Sequence, residues 1–121
     1  MIKRIKFLGI AVRDQDRALQ FYTEKLGFRV FTDQQFSETQ RWIELAIPGA
    51  ETGIVLFTPE GQEDRIGTFV HTSWEVDHVE KTYSELRGKG VEFAGPPEKQ
   101  PWGSFVKMKD SEGNLIVLSS R

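Results

Sequence analysis

Apolar and polar positions follow the same order twice along the chain. In Leu8-Gly-Ile-Ala-Val-Arg-Asp14 every second residue is apolar, which is the pattern of a half-buried strand, and the run ends on an acidic helix-start signal. Ala18, Leu19, Tyr22 and Leu26 then recur at the three-to-four-residue spacing of an amphipathic helix. Gly27 closes that helix, and Phe28-Arg-Val-Phe31 opens a new strand. The second pass reads Thr72-Ser-Trp-Glu-Val-Asp-His78, then Val79, Tyr83 and Leu86, then Gly90 and Val91-Glu-Phe93. Further on, Thr52-Gly-Ile-Val-Leu-Phe57 matches Asn114-Leu-Ile-Val-Leu-Ser119. Val55 lies 48 residues after Phe7, and Val117 lies 46 after His71.

Each half therefore reads strand–helix–strand–strand–strand. The spacing predicts strands over 4–13, 28–33, 40–47 and 53–58 around a helix over 15–26. It predicts strands over 66–76, 91–95, 103–109 and 115–120 around a helix over 78–88. Pro48-Gly49 and Ser111-Glu-Gly-Asn114 are turn formers between the last two strands of each half. The expected architecture is α+β: one domain over 1–121 made of two tandem βαβββ modules, 1–58 and 66–121, joined by a linker at 59–65. Half the chain has one helix for its sheet and leaves the other sheet face bare. Two such halves set side by side would form a curved mixed sheet around a cavity. Gly95–Trp102 carries three prolines and reads as a stiffened loop.

Composition narrows the function. The chain has 121 residues, a size suited to one domain. Lys and Arg number 16 against 18 Asp and Glu, a net charge of −2, which argues against a nucleic-acid partner. There is no cysteine, which excludes a disulfide framework, a thiolate zinc site, an iron–sulfur cluster and a cysteine nucleophile. Apolar runs are too short to span a membrane, and no apolar leader follows the basic residues of Met1–Phe7. The expectation is a cytoplasmic protein with no membrane partner.

Ile10-Ala-Val-Arg-Asp14, followed by Ala18, Phe21-Tyr22 and Leu26-Gly27-Phe28, resembles the opening signature of the vicinal oxygen chelate superfamily. That superfamily holds glyoxalase I, bleomycin-resistance proteins, fosfomycin-resistance enzymes and extradiol dioxygenases. Asp110-Ser-Glu-Gly-Asn-Leu-Ile116 resembles its closing signature, with Ser111 in place of a proline and Glu112 in place of an aspartate. Gly90-Val-Glu-Phe93 is also similar to the family pattern. The likeness runs the length of the chain and implies the glyoxalase/bleomycin resistance fold. It says little about activity, because that fold hosts many.

Metal enzymes of the family hold a divalent ion on His, Glu or Gln at fixed points on the first and last strands of each module. By the resemblance those points fall on Phe7, Val55, His71 and Val117. A phenyl ring and two isopropyl groups offer no lone pair, so only His71 can coordinate. The resemblance thus implies a member lacking the usual metal ligands, with no metal and no cofactor expected. It also implies a homodimer, because the family commonly pairs chains to complete its cavities.

Strand alternation assigns the faces. Leu8, Ile10, Val12, Ile43, Leu45, Ile54, Leu56, Trp74, Val76, Val106 and Met108 face the helices. The opposite faces carry Phe7, Trp42, Val55, Phe57, His71, Phe105, Lys107 and Val117, with Trp102 on the proline loop, as candidate ligand-binding residues. Glu44 and His71 are candidate catalytic residues, although Arg41 offers Glu44 a surface partner. An apolar wall with a few polar points suits a small-molecule ligand. One reading is a metal-free protein that binds a small aromatic or planar molecule. A second is an enzyme of lyase, isomerase or dioxygenase-like type acting on a small carbonyl compound, with Glu44 and His71 as acid and base or as an atypical metal site. A third is an interaction module.

Overall fold

The alternating segments form eight strands in two four-stranded mixed sheets, each with one helix. The structure is a computed structural model that describes residues 1–35 and 37–121, and of residues 69–71 the backbone only. The first half runs β1 (Phe7–Ala11), α1 (Gln15–Gln20), a π-helical stretch (Phe21–Lys25), β2 (Arg29–Gln35), β3 (Arg41–Ala46) and β4 (Gly53–Phe57). After a 3₁₀ turn (Glu63–Arg65), the second half runs β5 (Phe69–Glu75), α2 (Val79–Gly88), β6 (Glu98–Gln100), β7 (Gly103–Lys109) and β8 (Leu115–Ser120). The strand orders are β1-β4-β3-β2 and β5-β8-β7-β6, the same pattern twice. In each sheet the first and last strands pair in parallel and the other neighbours antiparallel. This is the expected α+β fold. The chain divides into two compact units, Met1–Ile66 and Gly67–Arg121.

Each unit has its own core, built on the face that alternation assigned to the helix. In the first, Ile10 pairs with Leu56 and Leu56 with Ile43, while Ile54 pairs with Leu45. All five are buried, as are Val12, Ala18 and Tyr22. Fully burying one such aliphatic side chain is worth about 1.5–3 kcal/mol. In the second, Val106 pairs with Leu118 and Met108 with Ile116, and these pack with Val79, Leu86 and Val91 in the buried set. Trp74 and Val76 are half-buried.

The helix boundaries follow their caps. Asp14 accepts a hydrogen bond from the Arg17 N–H at 3.0 Å and starts α1. The expected α-helix over 15–26 stays α-helical only to Gln20. Beyond it, the Thr23 hydroxyl donates to the Leu19 carbonyl at 2.7 Å, and the widened turn lets the adjacent Phe21 and Tyr22 both be buried. α2 starts differently. His78 takes the cap position with no side-chain bond, and the Ser120 hydroxyl instead accepts from the Val79 N–H at 3.2 Å.

Two strands depart from expectation. β1 is shorter than 4–13 because its parallel partner β4 spans only Gly53–Phe57, leaving no ladder for the residues outside. The segment 91–95 is not a strand. It makes one bridge, Phe93 to Met108, before Pro96 and Pro97 interrupt it. The edge strand of the second sheet is instead β6, three residues between Pro97 and Pro101, whose missing N–H groups fall outside the paired positions. No helix among the described residues is long and apolar enough to cross a membrane.

Candidate functional site

The face of the first sheet opposite the core is aromatic around one carboxylate. Cross-strand partners share a face, so the registers Gly9–Val55 and Val55–Glu44 make one row across β1, β4 and β3, continued on β2 by Thr32. Phe7 and Trp42 flank that row from opposite sides and lean towards each other across it. Their rings meet edge to face with centroids 5.6 Å apart and planes at 79°. On Trp42's side of the row, Phe57 lies across Gly9: a Cβ on Gly9 would come within 3.1 Å of the Phe57 ring. Glycine thus leaves the room that the phenyl ring occupies. Val55 is 2% exposed and forms the floor of the row, while Trp42 is 37% exposed.

Glu44 is half-buried on this face, and its carboxylate has no hydrogen bond or ion pair to any other described residue. Arg41 is not its partner. Residues three apart on a strand point to opposite faces, and Arg41 lies on the helix side. There its guanidinium donates to Asp33 twice, Nε to Oδ1 at 3.1 Å and Nη2 to Oδ2 at 3.0 Å, and a third time to Asp16 on α1. These bonds hold the Asp33 carboxyl below its ordinary pKa and raise that of Arg41. Gln15 locks the same corner, donating to the carbonyls of Arg41 and Leu56 and accepting from the Arg41 N–H. Sequence reasoning missed this knot, because its members are distant along the chain. A cavity of about 630 Å³ opens beside it, lined by Arg13, Asp14, Gln15, Asp16, Arg17, Thr39, Arg41 and Thr58. It is polar and carries both signs of charge, with Arg41 already neutralised by two carboxylates, so it lacks the apolar wall of a small-molecule pocket.

The corresponding face of the second sheet repeats the geometry with the opposite charge. Ser73 pairs with Val117, and Val117 with Lys107, as Gly9, Val55 and Glu44 do in the first. Ser73 and Ser119 share a hydrogen bond between hydroxyls at 2.9 Å. Phe105 lies two residues before Lys107 and stacks with Trp102, centroids 6.1 Å apart and planes at 20°. Trp102 sits in the β6–β7 turn and is 59% exposed. Lys107 is exposed and Val117 half-buried. His71 lies on β5, but its side chain is outside the described residues, and so is the acid–base pair suggested for Glu44 and His71.

The residues do not fit a family metal site. Phe7, Val55 and Val117 are carbon-only side chains. Among the described residues no group of three or more His, Cys, Asp or Glu side chains gathers to hold an ion. Glu44 stands in a row with Gly9, Val55 and Thr32, and none of these three is a His, Glu or Gln of the kind the family's metal sites use.

The model of the Glyoxalase/Bleomycin resistance protein/Dioxygenase superfamily matches residues 4–118. The chain is 37% identical over 121 residues to the uncharacterized protein YetH of Bacillus subtilis (strain 168), covering 98% of each chain. Among solved structures, a member of the glyoxalase/bleomycin resistance protein/dioxygenase superfamily from Sphaerobacter thermophilus superposes with a TM-score of 0.90 at 31% identity, covering 99% of this chain and 98% of that one. TnmS3, an antibiotic binding protein from Streptomyces sp. CB03234, superposes with a TM-score of 0.84 at 30% identity, covering 98% and 96%.

Proposed function

Because the chain belongs to the Glyoxalase/Bleomycin resistance protein/Dioxygenase superfamily, we propose that it is a metal-free binding protein for a small planar or aromatic molecule. The observation that carries this reading is the edge-to-face pair of Phe7 and Trp42 on the sheet face that the core does not use. Aromatic faces attract flat ligands by stacking, at about 0.5–1.5 kcal/mol per pair beyond the area they bury. The exposed Trp102 on Phe105 offers a second platform of the same kind. Support also comes from TnmS3, an antibiotic binding protein of similar fold and 30% identity. The ligand-binding residues are Phe7, Trp42, Val55 and Phe57 in the first module and Trp102, Phe105, Lys107 and Val117 in the second. The protein works in the cytoplasm as a homodimer.

Tryptophan fluorescence tests the reading, since two of the three tryptophans lie on the proposed faces. Titration with planar antibiotics and aromatic metabolites quenches emission and raises the melting temperature. A panel in which no compound does either refutes it. Elemental analysis of the purified protein finds no stoichiometric transition metal, and sedimentation at micromolar concentration finds a species of twice 13.9 kDa. A single 13.9 kDa species would remove the dimer.

A further inference from the structure

We infer that the first module's face selects planar ligands that carry a protonated nitrogen, and that the Glu44 carboxylate is the group that recognises it. This rests on the aromatic-ligand reading and names the chemistry of the ligand. A carboxylate on a half-buried strand position is ordinarily paired, because removing a charge from water without a partner is unfavourable. Arg41, the cation nearest in sequence, is turned to the other face and held by Asp33 and Asp16. Glu44 has no partner among the described residues. Its direct neighbours along the row are the buried Val55 and, on β2, Thr32, with the side-chain-free Gly9 beyond Val55.

Apolar surroundings strengthen the attraction between that carboxylate and an incoming cation. They do the same for cation–π contact, which Phe7, Trp42 and Phe57 offer on this same face. A flat cation therefore satisfies both features together: its ring system lies on the aromatic side chains and its N–H points at Glu44. A flat anion would meet the aromatic surface and be repelled by the carboxylate. Lys107 holds the equivalent position in the second sheet with the opposite sign, but it is exposed, so water screens it more strongly.

Two planar tricyclic probes of opposite charge test the inference: proflavine, a cation at neutral pH, and anthraquinone-2-sulfonate, an anion. Fluorescence titration of the full chain gives at least tenfold tighter binding for proflavine. Glu44→Gln, which keeps the shape and removes the charge, weakens proflavine about tenfold and leaves the sulfonate unchanged or tighter. Circular dichroism melting of the variant establishes that it is folded, and the comparison of probes on the unaltered chain is independent of any variant. Equal affinity for the two probes, or proflavine binding within twofold in Glu44→Gln, overturns the charge selection while leaving aromatic binding in place. If neither probe binds, this inference falls, while the aromatic-ligand reading is decided by the wider panel.

Discussion

Asp110 and Asn114 close the last turn of the chain on each other. The Asn114 N–H donates to Asp110 Oδ1 at 2.9 Å, Asn114 Nδ2 donates to Asp110 Oδ2 at 3.0 Å, and the Asp110 N–H donates back to the Asn114 carbonyl at 3.0 Å. Both residues are buried. Asn114 Oδ1 also accepts from the Gly67 N–H at 2.9 Å, so one amide ties the β7–β8 turn to the segment that enters β5. The closing signature is thus a hydrogen-bonded clamp with a structural task. Asn114→Ala removes the amide bonds to Asp110 Oδ2 and to the half-buried Gly67 N–H and costs about 2–3 kcal/mol. Urea unfolding measures this as a lower midpoint at unchanged slope.

Arg41 sets the acid behaviour of the first module. Its hydrogen bonds depress the pKa of Asp33. A carboxylate with a depressed folded-state pKa stabilises above its unfolded value, and that contribution is lost as pH falls through the folded value. Arg41→Met therefore moves the Asp33 titration, followed by carboxyl NMR, upward towards its ordinary range. At neutral pH the stability change is small, about 1 kcal/mol or less, because Asp16 and Asp33 lie at the solvent edge. An unmoved Asp33 midpoint would remove the knot.

Trp42 separates binding from stability. It is 37% exposed and packs edge-on to Phe7. Trp42→Ala weakens proflavine by about tenfold, roughly 1.4 kcal/mol, while the melting temperature falls by no more than a few degrees. A large loss of stability with unaltered binding would reassign Trp42 to the core.

Gly103 starts β7 where side chains do not fit. Its φ is 149°, and a Cβ there would come within 2.1 Å of the Ser120 carbonyl oxygen, on backbone rather than on a flexible side chain. Gly103→Ala forces β7 away from β8 and loosens Ser120, whose hydroxyl caps α2. The expected result is a destabilisation of about 2 kcal/mol or more, seen as a lower thermal midpoint together with faster amide exchange at Val79. Retained protection at Val79 would uncouple the two.

Much of the fold was legible because strand and helix periods are local. Ile10, Ile43, Leu45, Ile54, Leu56, Val106 and Met108 were assigned to the helix side from alternation alone, and all are buried. Alternation also set Trp42 and Glu44 on one face, since a period of two needs no knowledge of the neighbouring strand. The strand at 91–95 was misread for the same reason. Val91 and Phe93 have strand character, but the segment meets β7 only at the Phe93–Met108 bridge, and the continuous ladder on β7 is made by Glu98–Gln100.

The amino-acid order by itself determined the doubled strand–helix pattern, the core face of each sheet and the carbon-only character of Phe7, Val55 and Val117, because these depend on residue type and short-range spacing. Only the tertiary structure decided who pairs with whom. Arg41 reaches Asp33 across a β-ladder and Asp16 on a packed helix, so Glu44 is left unpaired on the other face among the described residues. Such partnerships follow from strand register and helix docking, which are set by burial summed over the whole sheet rather than by any one stretch of chain.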